Sequence, residues 1–339
     1  MYEWETVQRC VQEVSVVFAV LLNSIFIFLV VGYSPKNIGA YKYLMISISI
    51  FELSYAILDV ALLPIFHSFG STFAIFFKMN SLFYKKTILE FFACLYCAFF
   101  GSSLAIFSIH FVYRFWAISG NPKLRTFNGW KLFLWLLIPI ANGMHWSFLA
   151  WFACLPRKST DDYLRNNVLE TYDLKLEDVA YIAPYFYEND ESGHVNIYYP
   201  SFVGIIVDSV SIVVSVFSAA FYAVKCHLHL QKLVEDATMS NRYKRIQSQL
   251  FYALVTQTLI PVILMHIPVG MMFVATFTGR DVGSLCGVVS ITIALYPALD
   301  PIPTILIVNN YRKALCSCFC VKLTGRERSL ASRSTTRKY

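Results

Sequence analysis

Seven stretches of this chain, each of roughly 20 or more mainly apolar residues, leave little choice of fold. They fall at about 14–33, 43–66, 88–114, 132–155, 201–224, 249–274 and 283–309. A helix needs roughly 20 such residues to cross the hydrocarbon of a bilayer, where only helices and closed barrels satisfy their own backbone. The first run, "VSVVFAVLLNSIFIFLVVG", carries no charge. Composition agrees, since 57% of the 339 residues are hydrophobic and only 14% are charged, against roughly 25% in a soluble domain. The expectation is an all-α membrane protein, a bundle of seven transmembrane helices. Residues 1–13 form an outer N-terminus, 14–310 the membrane domain, and 311–339 a basic, Ser/Thr-rich inner tail. The segment "IFHSFGSTFAIFFKMNSLFYKK" is also apolar, but Gly70, Lys78, Lys85 and Lys86 make it a loop. No internal repeat is visible.

Charge sets the orientation. "MYEWETVQRCVQE" has no basic n-region, so the first run stays in the protein as an anchor. With the N-terminus outside, 19 of the 28 Lys and Arg residues fall on the inner side, and of the acidic residues only Glu235, Asp236 and Glu327 do. This is the positive-inside bias. The pI near 8.8 does not suggest nucleic acid, because the basic residues are spread between apolar runs. The outer loop at about 156–200 holds nine acidic and four basic residues and is expected to be a solvated lid.

Nine cysteines give no disulfide framework. Cys10 and Cys286 both lie near the outer face and could bond, while the 156–200 loop has no cysteine. Cys316, Cys318 and Cys320, in "CSCFC" just inside the membrane, are either palmitoylation candidates or plain reduced thiols. A metal site has no second ligand cluster to complete it. No cofactor is expected. An enzyme is not expected either, for there is no P-loop, G-x-G-x-x-G or H-E-x-x-H.

Ionisable and polar groups at membrane depth are costly, which makes them functional candidates. Counted from the inner surface, Asn23, Glu52, Ser103 and Asp300 all lie at roughly 15 Å, ten or eleven residues up four different spans. They suggest one buried cluster. It is either a hydrogen-bonded brace or a carboxyl pair sharing a proton or holding a cation such as Na⁺. A second set, Asp59, His145, Asp208 and His266, lies roughly 10–15 Å below the outer face. The aromatic string "EFFACLYCAFF" of the third span adds Tyr96 and Cys97 beside it. An apolar cavity with a few convergent polar groups suits a small-molecule ligand, although each polar group could equally be a satisfied core residue. Asp59, Tyr96, Cys97, Asp208 and His266 are the candidate ligand residues.

The strings "GAYKYLM" (39–45), "HFVYRFWA" (110–117), "QLFYALVTQTLIPVILMHIPVGMMF" (249–273) and "YPALDPIPTILIVNNYR" (296–312) resemble the Str class of nematode serpentine chemoreceptors. The resemblance runs over nearly the whole chain. It implies a rhodopsin-like seven-transmembrane, G-protein-coupled receptor in the plasma membrane of a sensory-neuron cilium. Such a receptor senses a small odorant-like molecule from outside and activates a heterotrimeric G protein inside. "VYR" resembles the D/E-R-Y element, with Tyr113 in the acidic position and Arg114 as its arginine. "DPIPT" resembles N/D-P-x-x-Y, with Asp300 and Pro301 matching and Thr304 in place of the tyrosine. His110, one turn above Arg114, is the expected substitute for the missing acidic partner. Lys244 and Arg245 belong to the basic inner loop 225–247, the expected G-protein face. Pro261 and Pro268 mark a hinge in the sixth span. The alternative reading is a transporter or ligand-gated channel that uses the buried carboxyl groups.

Overall fold

The computed structural model describes residues 2–35, 38–83, 85–167, 174–189, 194–280, 282 and 286–317. Seven helical segments among them are long and apolar enough to cross a bilayer. The first four spans are single helices: α1 (Tyr2–Tyr33), α2 (Tyr41–Leu62), α3 (Lys86–Ile118) and α4 (Lys131–Cys154). A polar outer-loop helix, α5 (Lys158–Asn167), precedes the fifth span, α6 (Tyr199–Glu235). The sixth span is α7 (Asn241–Pro261) continued by α8 (Ile267–Phe277), and the seventh is α9 (Cys286–Leu299) continued by α10 (Pro301–Ile307). Helix α1 begins well before residue 14, so the described part of the outer N-terminus is the first turns of a helix. Lys244 and Arg245 likewise belong to α7, which starts several residues before the apolar run.

The pattern of exposure is that of a bundle in lipid. Val17, Phe18 and Phe28 of α1 are exposed, while Asn23, Phe26 and Val30 are buried. The apolar groups face hydrocarbon and the polar ones face protein. Helix α3 is the axis of the bundle, since every residue from Phe100 to Arg114 is buried, with no face left for lipid. Small residues let its neighbour come close. A Cβ on Gly101 would run into the Trp146 ring of α4, and one on Gly143 into Ser102 Oγ and the Ala98 carbonyl of α3.

The sixth and seventh spans are interrupted where their prolines fall. A π-helical turn, Val262–His266, sits between Pro261 and Pro268. Such turns locally break the regular hydrogen-bond ladder and mark bends. The chain between α9 and α10 breaks at Asp300, ahead of Pro301.

The outer loops depart furthest from expectation. The apolar segment after α2 is no irregular loop but a hairpin, β1 (Ile65–Phe69) and β2 (Thr72–Lys78), turning at Gly70–Ser71 with Gly70 at φ 52°. The next outer loop supplies β3 (Val179–Ile182), antiparallel to β2, giving a sheet in the order β1-β2-β3. A second hairpin joins β4 (Tyr187–Asn189) to β5 (Val195–Ile197). The solvated lid expected at 156–200 is thus corrected for residues 179–186, all of which are buried. Their apolar side chains need cover, and β3 is seated on α3 and α4, while β1 and β2 rest on α8 and α9. Tyr181 donates to Asp161 of α5 at 2.6 Å, and burial pushes its phenol pKa above the ordinary value. Cys10 is exposed and unpaired, so the bond to Cys286 is not formed.

Candidate functional site

Two polar regions occupy the bundle, one under the outer sheet and one near the inner face. The outer one surrounds a cavity of about 50 Å³. Its walls are apolar and come from the sheet (Phe66, Phe73, Ile75, Ile182), from α3 (Tyr96, Cys97, Phe100) and from Trp146 of α4. Asp208 of α6 is the single carboxyl group in the lining. It sits 3.4 Å from His145 Nε2 on α4. Sites for drug-sized ligands run to roughly 300–1,000 Å³, so this conformation is a closed one.

Of the five candidate ligand residues, Tyr96, Cys97 and Asp208 line the cavity. Asp59 does not. Its Oδ1 accepts from Tyr96 Oη at 3.0 Å and its Oδ2 from Gln12 Nε2 at 3.2 Å, so it braces a lining residue against α1. His266 does not line the cavity either. Its ring packs on Phe100, with centroids 4.6 Å apart, and its Nε2 meets Ser103 Oγ at 2.9 Å. That places Ser103 with His266 and removes it from the inner cluster. Depth along a helix axis does not say which face a residue occupies. The sheet residues Phe66, Phe73, Ile75 and Ile182 were missed because their strand periodicity was hidden in a continuous apolar run.

The inner cluster holds three of its four expected members. Glu52 lies against Asp300, Asn23 and Tyr296. Asn23 Nδ2 donates to the Ala19 and Pro297 carbonyls at 3.1 and 2.9 Å. Gln257 of α7 completes the set. Its Nε2 donates to Asp300 Oδ2 at 2.7 Å and to the Asp300 carbonyl at 3.1 Å, while its Oε1 accepts from Thr304 Oγ1 at 2.6 Å. Thr304, standing where the resembling element has tyrosine, is therefore a partner in this lattice. Tyr296 stands between the two regions. Its ring is 6.5 Å from Tyr55, which in turn is 5.3 Å from Tyr96 of the cavity wall.

Arg114 does not face the cytosol. It is 1% exposed, and its Nη2 donates to Gln247 Oε1 at 2.6 Å and to the Gln247 carbonyl at 3.0 Å. The guanidinium also lies 5.1 Å from the Tyr41 ring centre, a cation–π contact. His110 is not its partner. The imidazole packs edge-on against Tyr41 at 5.5 Å. Tyr113 stacks on the same Tyr41 ring at 5.3 Å and donates to the Ile38 carbonyl at 3.1 Å. Gln247, a neutral residue at the end of the basic stretch 225–247, starts the buried stripe of α7 together with Ile246, and nothing in the sequence singles it out.

At the inner surface Lys244 Nζ reaches the Val234 carbonyl at 2.9 Å, tying α7 to the end of α6, and Arg245 is exposed. Cys316 is exposed, and Cys318 and Cys320 lie outside the described residues.

The bundle thus has seven candidate spans, a small outer cavity, a buried inner lattice and an arginine tied across to the sixth span. The family described as serpentine type 7TM GPCR chemoreceptor Str matches residues 8–316. Among relatives, "G-protein coupled receptor str-217" of Caenorhabditis elegans is 35% identical, with 97% of each chain covered. "Serpentine receptor class r-10" of Caenorhabditis briggsae is 35% identical over 89% of this chain and 87% of its own. The C. elegans protein of the same name is 34% identical over the same shares. This chain belongs to the Str family of seven-transmembrane, G-protein-coupled chemoreceptors. It is a multi-pass membrane protein that couples to a G protein, and nothing in these comparisons supports the transporter or channel reading.

Proposed function

We propose that the outer cavity binds a small, odorant-like molecule and that binding frees the inner end of the sixth span to engage a heterotrimeric G protein. One observation carries this reading. Helix α7 is held at two depths by two glutamines, Gln247 to Arg114 of α3 and Gln257 to Asp300 and Thr304 of the seventh span. Both ties lie on the inner side of the π-helical turn between Pro261 and Pro268. A ligand that widens the cavity at Phe100, Met272 or Phe273 pushes on the outer side of that same turn. The ligand shifts a pre-existing equilibrium rather than driving chemistry, and outer and inner sites affect each other reciprocally.

The roles follow from position. Tyr96, Cys97 and Asp208 contact the ligand, and Asp59 positions Tyr96. Asn23, Glu52 and Asp300 hold a shared proton or a cation between them. Support for this comes from Glu52 Oε1, Asp300 Oδ1, Asn23 Oδ1 and Tyr296 Oη, buried oxygens with no hydrogen-bond partner among the described residues. Arg114, Tyr113, Lys244 and Arg245 form the G-protein face once α7 swings out. The sensory-neuron cilium is the proposed site of action, and Cys316, Cys318 and Cys320 are proposed to anchor the tail by acylation.

The test is a small-molecule screen read by Ca²⁺ or cAMP signals in cells expressing the chain, alongside Gln247→Leu. The variant should raise signalling without ligand, because it removes the neutral tie on Arg114. Basal signals unchanged in Gln247→Leu, at equal surface expression, would remove the latch from the account.

A further inference from the structure

We infer that the cavity opens sideways to the bilayer, between α4 and α6 at the His145–Asp208 contact, and takes a membrane-dissolved, largely apolar small molecule with one polar end. This rests on the reading of the cavity as the ligand site. It concerns the route and the chemical class of the ligand, which that reading leaves open.

The outer route is covered. Phe66, Phe73, Ile75, Ile182 and Pro184 line the cavity from the aqueous side, and all five belong to or adjoin the three-stranded sheet. The sheet is fastened at its edges. Ala183 N–H donates to the Cys154 carbonyl at the outer end of α4 at 2.8 Å, and Thr72 Oγ1 donates to the Pro184 carbonyl at 2.7 Å. Opening this roof breaks ladder hydrogen bonds and exposes buried aromatic surface.

The lateral wall is thinner. Helix α4 is peripheral, with Met144, Phe148 and Trp151 exposed to lipid around His145. Between α4 and α6 the seam closes at two levels. Above, Ser201 Oγ donates to the Ala153 carbonyl at 3.2 Å, and Gly204 admits Ala153 so closely that an added Cβ would stand 3.3 Å from it. Below, Trp146 Nε1 donates to Ser211 Oγ at 2.8 Å. Asp208 lies between those levels on α6, and His145, one residue inward of Trp146 on α4, reaches up to it across the seam. The His145 side chain is 35% exposed on the lipid side, while Asp208 is 7% exposed and lines the cavity.

A half-buried imidazole on a membrane helix is expensive unless it serves something. Here its Nε2 reaches the one carboxyl group of the cavity, yet at 3.4 Å, the long end of hydrogen bonding, and Asp208 Oδ1 has no well-formed hydrogen bond among the described residues. A loose polar contact across an otherwise apolar seam parts easily. Once parted, it offers Asp208 to the polar end of an incoming molecule whose body passes between Ala150 and Ile205, both of which line the cavity. The same contact then closes behind it.

The test uses lipid itself as the probe. The full chain is placed in nanodiscs of phosphatidylcholine, part of it carrying a diazirine midway along one acyl chain. The headgroup keeps that probe in the bilayer, so it reaches the cavity only through the side. After illumination, peptide mass spectrometry should find label on inward-facing Cys97, Phe100 and Asp208 as well as on lipid-facing Phe148 and Trp151. His145→Trp, which fills the seam, should reduce the inward label several-fold and leave the lipid-facing label unchanged, which also reports that the variant is folded. His145→Ala should raise it. Lys78→Cys with Val179→Cys, a disulfide across a register pair of β2 and β3, should leave it unchanged. Label confined to Phe148 and Trp151, or inward label that falls with the roof disulfide but not with His145→Trp, overturns the lateral route. A chain that signals in cells but shows no inward label loses only this route, and inward label in a chain that never signals to any compound counts against the receptor reading of the cavity instead.

Discussion

The outer and inner halves of this bundle solve opposite problems with the same seven helices. The outer half is an aromatic shell around a small void, with one carboxyl group in its wall and a sheet for a roof. The inner half is held differently, although an open groove of about 450 Å³ lined by Tyr33, Ser240, Arg242 and Tyr243 lies at its inner end. This half is a lattice of side-chain hydrogen bonds in which two glutamines of α7 hold an arginine, an aspartate and a threonine of other helices. Apolar contact is non-directional and tolerates rearrangement, whereas a buried hydrogen bond is all or none, since breaking it strands a polar group. The outer half is therefore built to yield to many shapes, and the inner half to stand in discrete arrangements. A receptor needs both, joined through something that bends, and the π-helical turn between Pro261 and Pro268 lies at the junction.

Substitutions can break the comparison at several strengths. The largest effect should come from neither half but from the spine they share. Gly101→Leu or Gly143→Leu drives a side chain into Trp146 or into Ser102 and Ala98. Overpacking of this kind costs about 1–3 kcal/mol or more, and both variants should be lost from the cell surface, measured by labelling intact cells. Next comes Gln257→Leu. It leaves Asp300 Oδ2 and Thr304 Oγ1 without their partner, at about 1–3 kcal/mol for each buried group stranded. A Tm in nanodiscs several degrees below the wild type is expected. By contrast Asp208→Leu, in the outer half, should leave Tm unchanged or raise it while reducing ligand potency, because it removes a carboxyl group with no well-formed hydrogen bond. Smaller still is Ser103→Ala, which removes the 2.9 Å contact to His266. A net hydrogen bond is worth about 0.5–1.5 kcal/mol, so a several-fold shift in potency is expected, with expression intact. Smallest is Arg9→Ala, on the exposed Arg9–Glu13 pair of α1, where a loss below about 0.5 kcal/mol should leave expression and signalling at wild-type levels.

Much of this organisation was legible in the sequence. Span length gave the seven helices, because the bilayer demands a fixed run of apolar residues whatever the fold. Depth counting put Asn23, Glu52 and Asp300 at one level, and the structure brings them together. The same count failed for Ser103, because the rotation of α3 about its own axis carries no signature in a helix buried on every side. Gln247 and Gln257 escaped notice for a related reason. Gln247 sits in a basic flank and Gln257 in an apolar run, and an uncharged amide in either says nothing until its partner is known. The sheet escaped because its strands are buried on both faces, which erases the alternation that betrays a strand. His110 was expected to stand in as the partner of Arg114, but the buried arginine took a neutral amide on α7, and Tyr41 packs against both.

The central claim is that the inner end of α7 is tied by Gln247 and moves when that tie is lost. Distance measurement by electron double resonance tests it directly. Spin labels are placed at Lys123, just past the inner end of α3, and at Arg242, at the inner end of α7, both exposed, after the exposed cysteines are replaced by serine. In nanodiscs the wild type should give one dominant distance, and Gln247→Leu should add a population at longer distance. A single, unchanged distance in both proteins, at equal labelling, would contradict the account.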